Sequence, residues 1–163
     1  MVTEPGQGQS GVREILSKVP FFQELTPGEI DRVASIGQVV EYQKDMLLFR
    51  EGDVGEAFYV VIAGAVRINK AVPGRTEQTL AFMEAGGFFG EMALVDDFPR
   101  SASAVAQQPS LVLFIERRPL LELFRTEPLI GQKVLWAFCR TLSLRLRETN
   151  DRIVALSAMT RPV

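Results

Sequence analysis

The chain has 163 residues, 47% hydrophobic and 23% charged, with a net charge of −2; this suits one domain with a proper core and an appended helix, and leaves no electrostatic footprint for nucleic acid. It contains no histidine and one cysteine, Cys139, which excludes an intrachain disulfide, multi-cysteine metal clusters and the Ser-His-Asp and Cys-His nucleophile pairs. No apolar run reaches membrane-spanning length and the N-terminus is polar and Gly-rich rather than signal-like, so a cytoplasmic protein with no membrane partner is expected.

Residues 1–11 read as a disordered lead-in. A short helix is expected over Val12–Lys18, ending before Pro20. A second opens at Thr26-Pro27-Gly28-Glu29, a capping box with proline in the first helical position, and Ile30, Val33, Ala34 and Ile36 supply its apolar face. From Gln38 to Glu116 the texture changes to short β-prone runs broken by glycine and proline: VVEY, MLLF, FYVVIA, AVRINKAV, QTLAFM, SASAVA and LVLFIE. Pro73-Gly74 marks a hairpin between the fourth and fifth of these. Many short strands at close spacing predict a sandwich, barrel or jelly roll.

After Arg118 the chain turns helical, with a short helix near Leu120–Phe124 and a long one from about Ile130 to Met159. Leu135, Cys139, Leu142, Leu146, Thr149, Ile153 and Leu156 recur at spacings of four and three. That 3.5-residue period predicts a helix pairing along its length, here as a homodimer; the alternative is a stripe that docks on the β-structure. The fold class expected is α+β, mainly β: an antiparallel β-roll or jelly-roll barrel with short N-terminal helices and a long C-terminal helix. Its divisions are 1–11 lead-in, 12–125 helices plus β-roll, and 126–163 dimerisation helix and tail.

The stretch 86–104, GGFFGEMALVDDFPRSASA, carries the chemistry. Gly90 lets the backbone approach a ligand and leaves room for a sugar. Glu91, an ionised carboxylate, only accepts hydrogen bonds, so it selects a ribose 2′-OH over a deoxyribose. Met92, Ala93 and Leu94 suffice for one helical turn whose N–H groups face an anion. Arg100 neutralises a phosphate, whose burial unpaired costs several kcal/mol. The Ser101 hydroxyl and the N–H groups near Ala93 and of Ala102 complete a cradle. The alternative is a surface ion pair between Glu91 and Arg100, with the glycines marking a turn.

This segment resembles the phosphate-binding cassette of cyclic-nucleotide-binding domains, and the likeness extends over about residues 12–158. FREGD at 49–53 and FYVVIAGAVRI at 58–68 are similar to the family's strand segments; FGEMAL at 89–94, from Phe89, and PRSA at 99–102 are similar to its cassette. The resemblance implies that Glu91 holds the ribose and Arg100 the phosphate, and that Ile68, Leu80 and Met83 line an apolar wall. The long helix resembles that of bacterial cyclic-AMP receptor regulators, which implies base contacts from Thr149 and Asn150. Ser101, where cyclic-GMP binders often carry threonine, points to cyclic AMP rather than cyclic GMP.

The function expected is therefore a stand-alone cyclic-nucleotide sensor that signals through helix rearrangement to a separate, unidentified effector protein. The chain ends soon after Leu156, so no DNA partner is expected. A cyclic-GMP-binding sensor or a ligand-free structural dimerisation module is the alternative. Jelly-roll metal catalysis needs clustered histidines, so no catalytic residue, metal or cofactor is expected.

Overall fold

The computed structural model describes residues 7–74 and 77–159. Helix α1 (Gln7–Lys18) begins inside the stretch expected to be lead-in, and residues 1–6 lie outside the described residues. A 3₁₀ turn at Pro20–Phe22 follows, and then α2 (Pro27–Ser35). The capping box is present in both directions: Thr26 Oγ1 accepts from the Glu29 N–H, and the Glu29 carboxylate accepts from the Thr26 N–H at 2.7 Å.

Eight strands follow among the described residues. They are β1 (Gly37–Tyr42), β2 (Leu47–Phe49), β3 (Ala57–Ala63), β4 (Ala65–Lys70), β5 (Gln78–Glu84), β6 (Phe88–Phe89), β7 (Ser103–Ala106) and β8 (Ser110–Glu116). All seven runs read from the sequence form strands; β6, two residues long, carries too short a pattern to be recognised. The strands form two antiparallel four-stranded sheets, ordered β1-β8-β3-β6 and β2-β7-β4-β5, and these are not closed into a barrel. The expected β-roll is thus an open pair of sheets.

Strand β3 explains why one run lacks an alternating polar face. Its Phe58 and Val60 point into the main core, while Ala57, Tyr59 and Val61 point to a second cluster between the sheets. Both faces are covered, so both must be apolar. The main core is closed by helices: Leu16, Phe21, Phe22 and Val33 meet Leu113 and Ile115 of β8, together with Leu120 of α3 (Arg117–Thr126) and Ile130 of α4 (Pro128–Met159).

Helix α4 carries two stripes. Ile130, Val134, Ala137 and Phe138 are buried in the core, at the 3.6-residue period of a docked helix. Leu135, Leu142, Leu146 and Ile153 of the seam are exposed. The long seam is therefore a separate face from the one that docks. Among the described residues, no helix is long and apolar enough to cross a membrane.

Candidate functional site

Strand β6 delivers the chain to the site by pairing with β3, Phe89 opposite Tyr59. At Gly90 the backbone turns left-handed, φ +75°, and a 3₁₀ turn follows over Glu91–Leu94. A Cβ at position 90 would sit 2.6 Å from Arg100 Nη1. Glycine is thus required there twice, by its dihedral and by the close approach of the guanidinium.

Arg100 is 7% exposed. Its Nη1 donates to the Gly90 carbonyl at 3.1 Å and Nη2 to the Ala57 carbonyl at 2.8 Å. The guanidinium carbon lies 4.2 Å from the centre of the Phe49 ring and 5.5 Å from that of Tyr59. Nε is buried and meets no acceptor among the described residues. Arg100 forms no ion pair among those residues either, which sets aside the surface pairing with Glu91. Burial pushes its pKa below the ordinary arginine value, opposed by the nearby Tyr59, Glu91 and Asp53; an arginine stays protonated in proteins all the same. Burial also raises the Tyr59 phenol.

Glu91 is 5% exposed and pairs instead with Arg145 of α4, whose guanidinium carbon lies 5.0 Å from the centre of the Phe88 ring. The pair ties the cassette to the long helix. It occupies one acceptor position of a carboxylate that has about four, so Glu91 retains capacity for a ligand hydroxyl.

Between these groups lies a cavity of about 280 Å³, lined mainly by apolar atoms. That is at the small end of small-molecule sites, which start near ~300 Å³. Phe89, Gly90, Glu91, Met92, Ala93, Arg100, Ser101 and Ala102 all line it, as do Ile68, Leu80 and Met83 from β4 and β5. The sequence reading missed Phe49, Phe88, Asp96, Phe98, Pro99 and Arg145. For Arg145 the only available signal was its place one turn before Thr149 on the long helix.

Thr149 and Asn150 do not line the cavity. Both are exposed on α4, and the Thr149 hydroxyl donates back to the Arg145 carbonyl at 2.8 Å. Within one chain the helix presents Arg145 to the site and carries the next turn past it. Among the described residues, no group of three or more metal-ligating side chains gathers.

A family model for the cyclic nucleotide-binding domain matches residues 39–127. The chain is 38% identical over 138 residues to the cyclic AMP receptor protein of Thermus thermophilus, covering 85% of this chain and 62% of that protein. It is 30% identical over 143 residues to a CRP-like cAMP-activated global transcriptional regulator of Mycobacterium tuberculosis, covering 88% and 62%. The chain thus spans less than two thirds of the length of these curated relatives. Among solved structures, it is similar to a cyclic nucleotide-binding domain from Methylobacillus flagellatus at 33% identity and a TM-score of 0.79, covering 91% of this chain and 84% of that one. It is also similar to the regulatory domain of Toxoplasma gondii PKA crystallised with cAMP, at 26% identity and a TM-score of 0.69, covering 86% and 50%. With the matched region spanning strands, cassette and α3, the chain belongs to the cyclic-nucleotide-binding domain family.

Proposed function

We propose that the cavity binds cyclic AMP in preference to cyclic GMP, and that α4 carries the signal of its occupancy. The observation that supports this reading most is Arg100: a buried cation on a cavity wall that forms no ion pair among the described residues. A buried charge needs a counter-charge, and a singly charged cyclic phosphate supplies one. The two carbonyls already hold the guanidinium in place, so little ordering is left for the ligand to impose.

Glu91 then accepts the ribose 2′-OH while remaining bonded to Arg145. Ligand and helix share one carboxylate, so occupancy changes the strength with which α4 is held. Such a shift is limited to the ligand's differential affinity for the two poses. We place Leu135, Cys139, Leu142, Leu146, Thr149, Ile153 and Leu156 on a homodimer seam. Pairing there brings Thr149 and Asn150 toward the base from a second copy. The names of the Thermus and Mycobacterium relatives favour cyclic AMP.

Calorimetric titration with cyclic AMP, cyclic GMP and 2′-deoxy cyclic AMP tests this. Cyclic AMP should bind tightest. The deoxy analogue should lose about ten- to a hundredfold, the worth of a hydrogen bond to a charged group. Tighter cyclic GMP would overturn the ligand assignment, equal binding of the deoxy analogue would remove Glu91 from the ribose, and no binding of any of the three would favour a structural dimerisation module.

A further inference from the structure

Beside the cavity, the run 100–103 is held by a network that the cassette pattern does not include. The Arg100 N–H donates to the Asp53 carbonyl at 2.8 Å, and the Arg100 carbonyl accepts from the Gly52 N–H at 2.9 Å. The Ser103 hydroxyl accepts from the Glu51 N–H at 2.9 Å. Lys70, the last residue of β4, donates through Nζ to the Ser101 carbonyl at 2.6 Å and to the Glu51 carboxylate at 2.6 Å. The other Glu51 oxygen accepts from the Ala71 N–H at 2.9 Å.

Lys70 and Glu51 neutralise one another, so what they contribute at the cavity is direction rather than charge. A peptide unit is planar and trans, so fixing a carbonyl also fixes the N–H of the next residue, which points the opposite way. Ser101 and Ala102 both line the cavity. We propose that Lys70, tethered by Glu51, is a positioning residue: by gripping the Ser101 carbonyl it sets the plane of the 101–102 peptide and aims the Ala102 N–H at one phosphoryl oxygen of the bound nucleotide. This inference rests on the cyclic-nucleotide reading of the same cavity.

The Lys70 ammonium reaches the surface and its removal leaves no buried unpaired charge, because Glu51 is itself partly exposed. Lys70→Met keeps the aliphatic stem and deletes the donor. Its affinity for cyclic AMP should fall about three- to tenfold, the worth of one hydrogen bond, with the melting temperature of the unliganded protein recorded alongside. Lys70→Arg, which keeps a cationic donor, should retain most of the affinity.

The discriminating readout is the pair of cyclic AMP phosphorothioate diastereomers, each with sulfur in place of one exocyclic oxygen. Lys70→Met should weaken one diastereomer about as much as the parent nucleotide. It should leave the other nearly unchanged, since sulfur has already spoiled that contact. Equal losses for both diastereomers, as general loosening of the fold or a through-space charge effect would produce, overturn the proposal. So does wild-type affinity in Lys70→Met. A wild-type protein that binds no cyclic nucleotide overturns the functional reading and this inference together, and is distinguishable because the failure then precedes any substitution.

Discussion

Arg100 is a cation folded into the interior with two backbone carbonyls as its hydrogen-bond partners and an aromatic ring beneath it. Carbonyl dipoles orient a guanidinium without neutralising it, so the Arg100 charge is left for a ligand to complete. Replacing Arg100 by alanine leaves a bound phosphate buried without its counter-charge, which costs about 2–5 kcal/mol of binding. Titration of Arg100→Ala should therefore show cyclic AMP affinity reduced at least thirtyfold, roughly the lower end of that range. Unchanged affinity would mean that the nucleotide sits elsewhere. Glu91 and Arg100 were both legible from the sequence as a carboxylate and a guanidinium at a cassette spacing. Their actual partners were not, since Glu91 bonds a residue on another element and Arg100 bonds main-chain atoms.

Ion pairs link the N-terminal segment to α4 and to the residue that precedes it. Glu29 closes the capping box of α2 and also accepts from Lys133 of α4 at 2.7 and 2.9 Å; Arg32 pairs with Glu127 and Arg140 with Glu24. The Lys133 ammonium first, and the Thr26 N–H second, hold the Glu29 carboxyl below its ordinary value. A carboxyl depressed by folding adds stability that is fully present above its unfolded value, about 4.3, and is lost as pH falls through the lower folded value. Glu29→Gln should accordingly melt below wild type at neutral pH. The gap should close as the pH is taken under about 4. Thermal unfolding across pH 7 to about 3 checks this; a gap that stays constant would show that the carboxylate's charge contributes nothing. The capping box itself was readable, because both its halves lie within four residues. Lys133 was not, because it stands 104 residues away.

At the scale of the molecule, α4 divides its labour. Its first half docks through Ile130, Val134, Ala137 and Phe138, and its seam leaves Leu135, Leu142, Leu146 and Ile153 exposed. Isolated exposed leucines are ordinary, but a row of them at a 3.5-residue period on one helix is the pattern on which the proposed homodimer rests. Leu142→Asp places a charge in the middle of that row. Light scattering should give a dimer for wild type and a monomer for the variant, with the far-UV circular dichroism unchanged; an unaltered mass would remove this seam from the interface. Thr149 and Asn150 are exposed on α4, and in the proposed dimer these turns face a second copy rather than the chain's own cavity.

Seven of the strands, the capping box, the seam of α4 and the residue types of the cassette were present in the linear order of the chain, whereas β6 and the docking stripe of α4 were not read there. Each feature that was read is a short-range signal: alternation every second residue, recurrence every three or four, a glycine beside a carboxylate. Folding in space settled the rest, namely that eight strands divide into two open sheets, that Arg145 reaches Glu91 across 54 positions, and that Lys70 grips Ser101 across 31. A side chain's periodicity tells which face it occupies, but not which distant side chain meets it there. That depends on how elements cross and on the few ångströms over which hydrogen bonds act, and no local pattern encodes either.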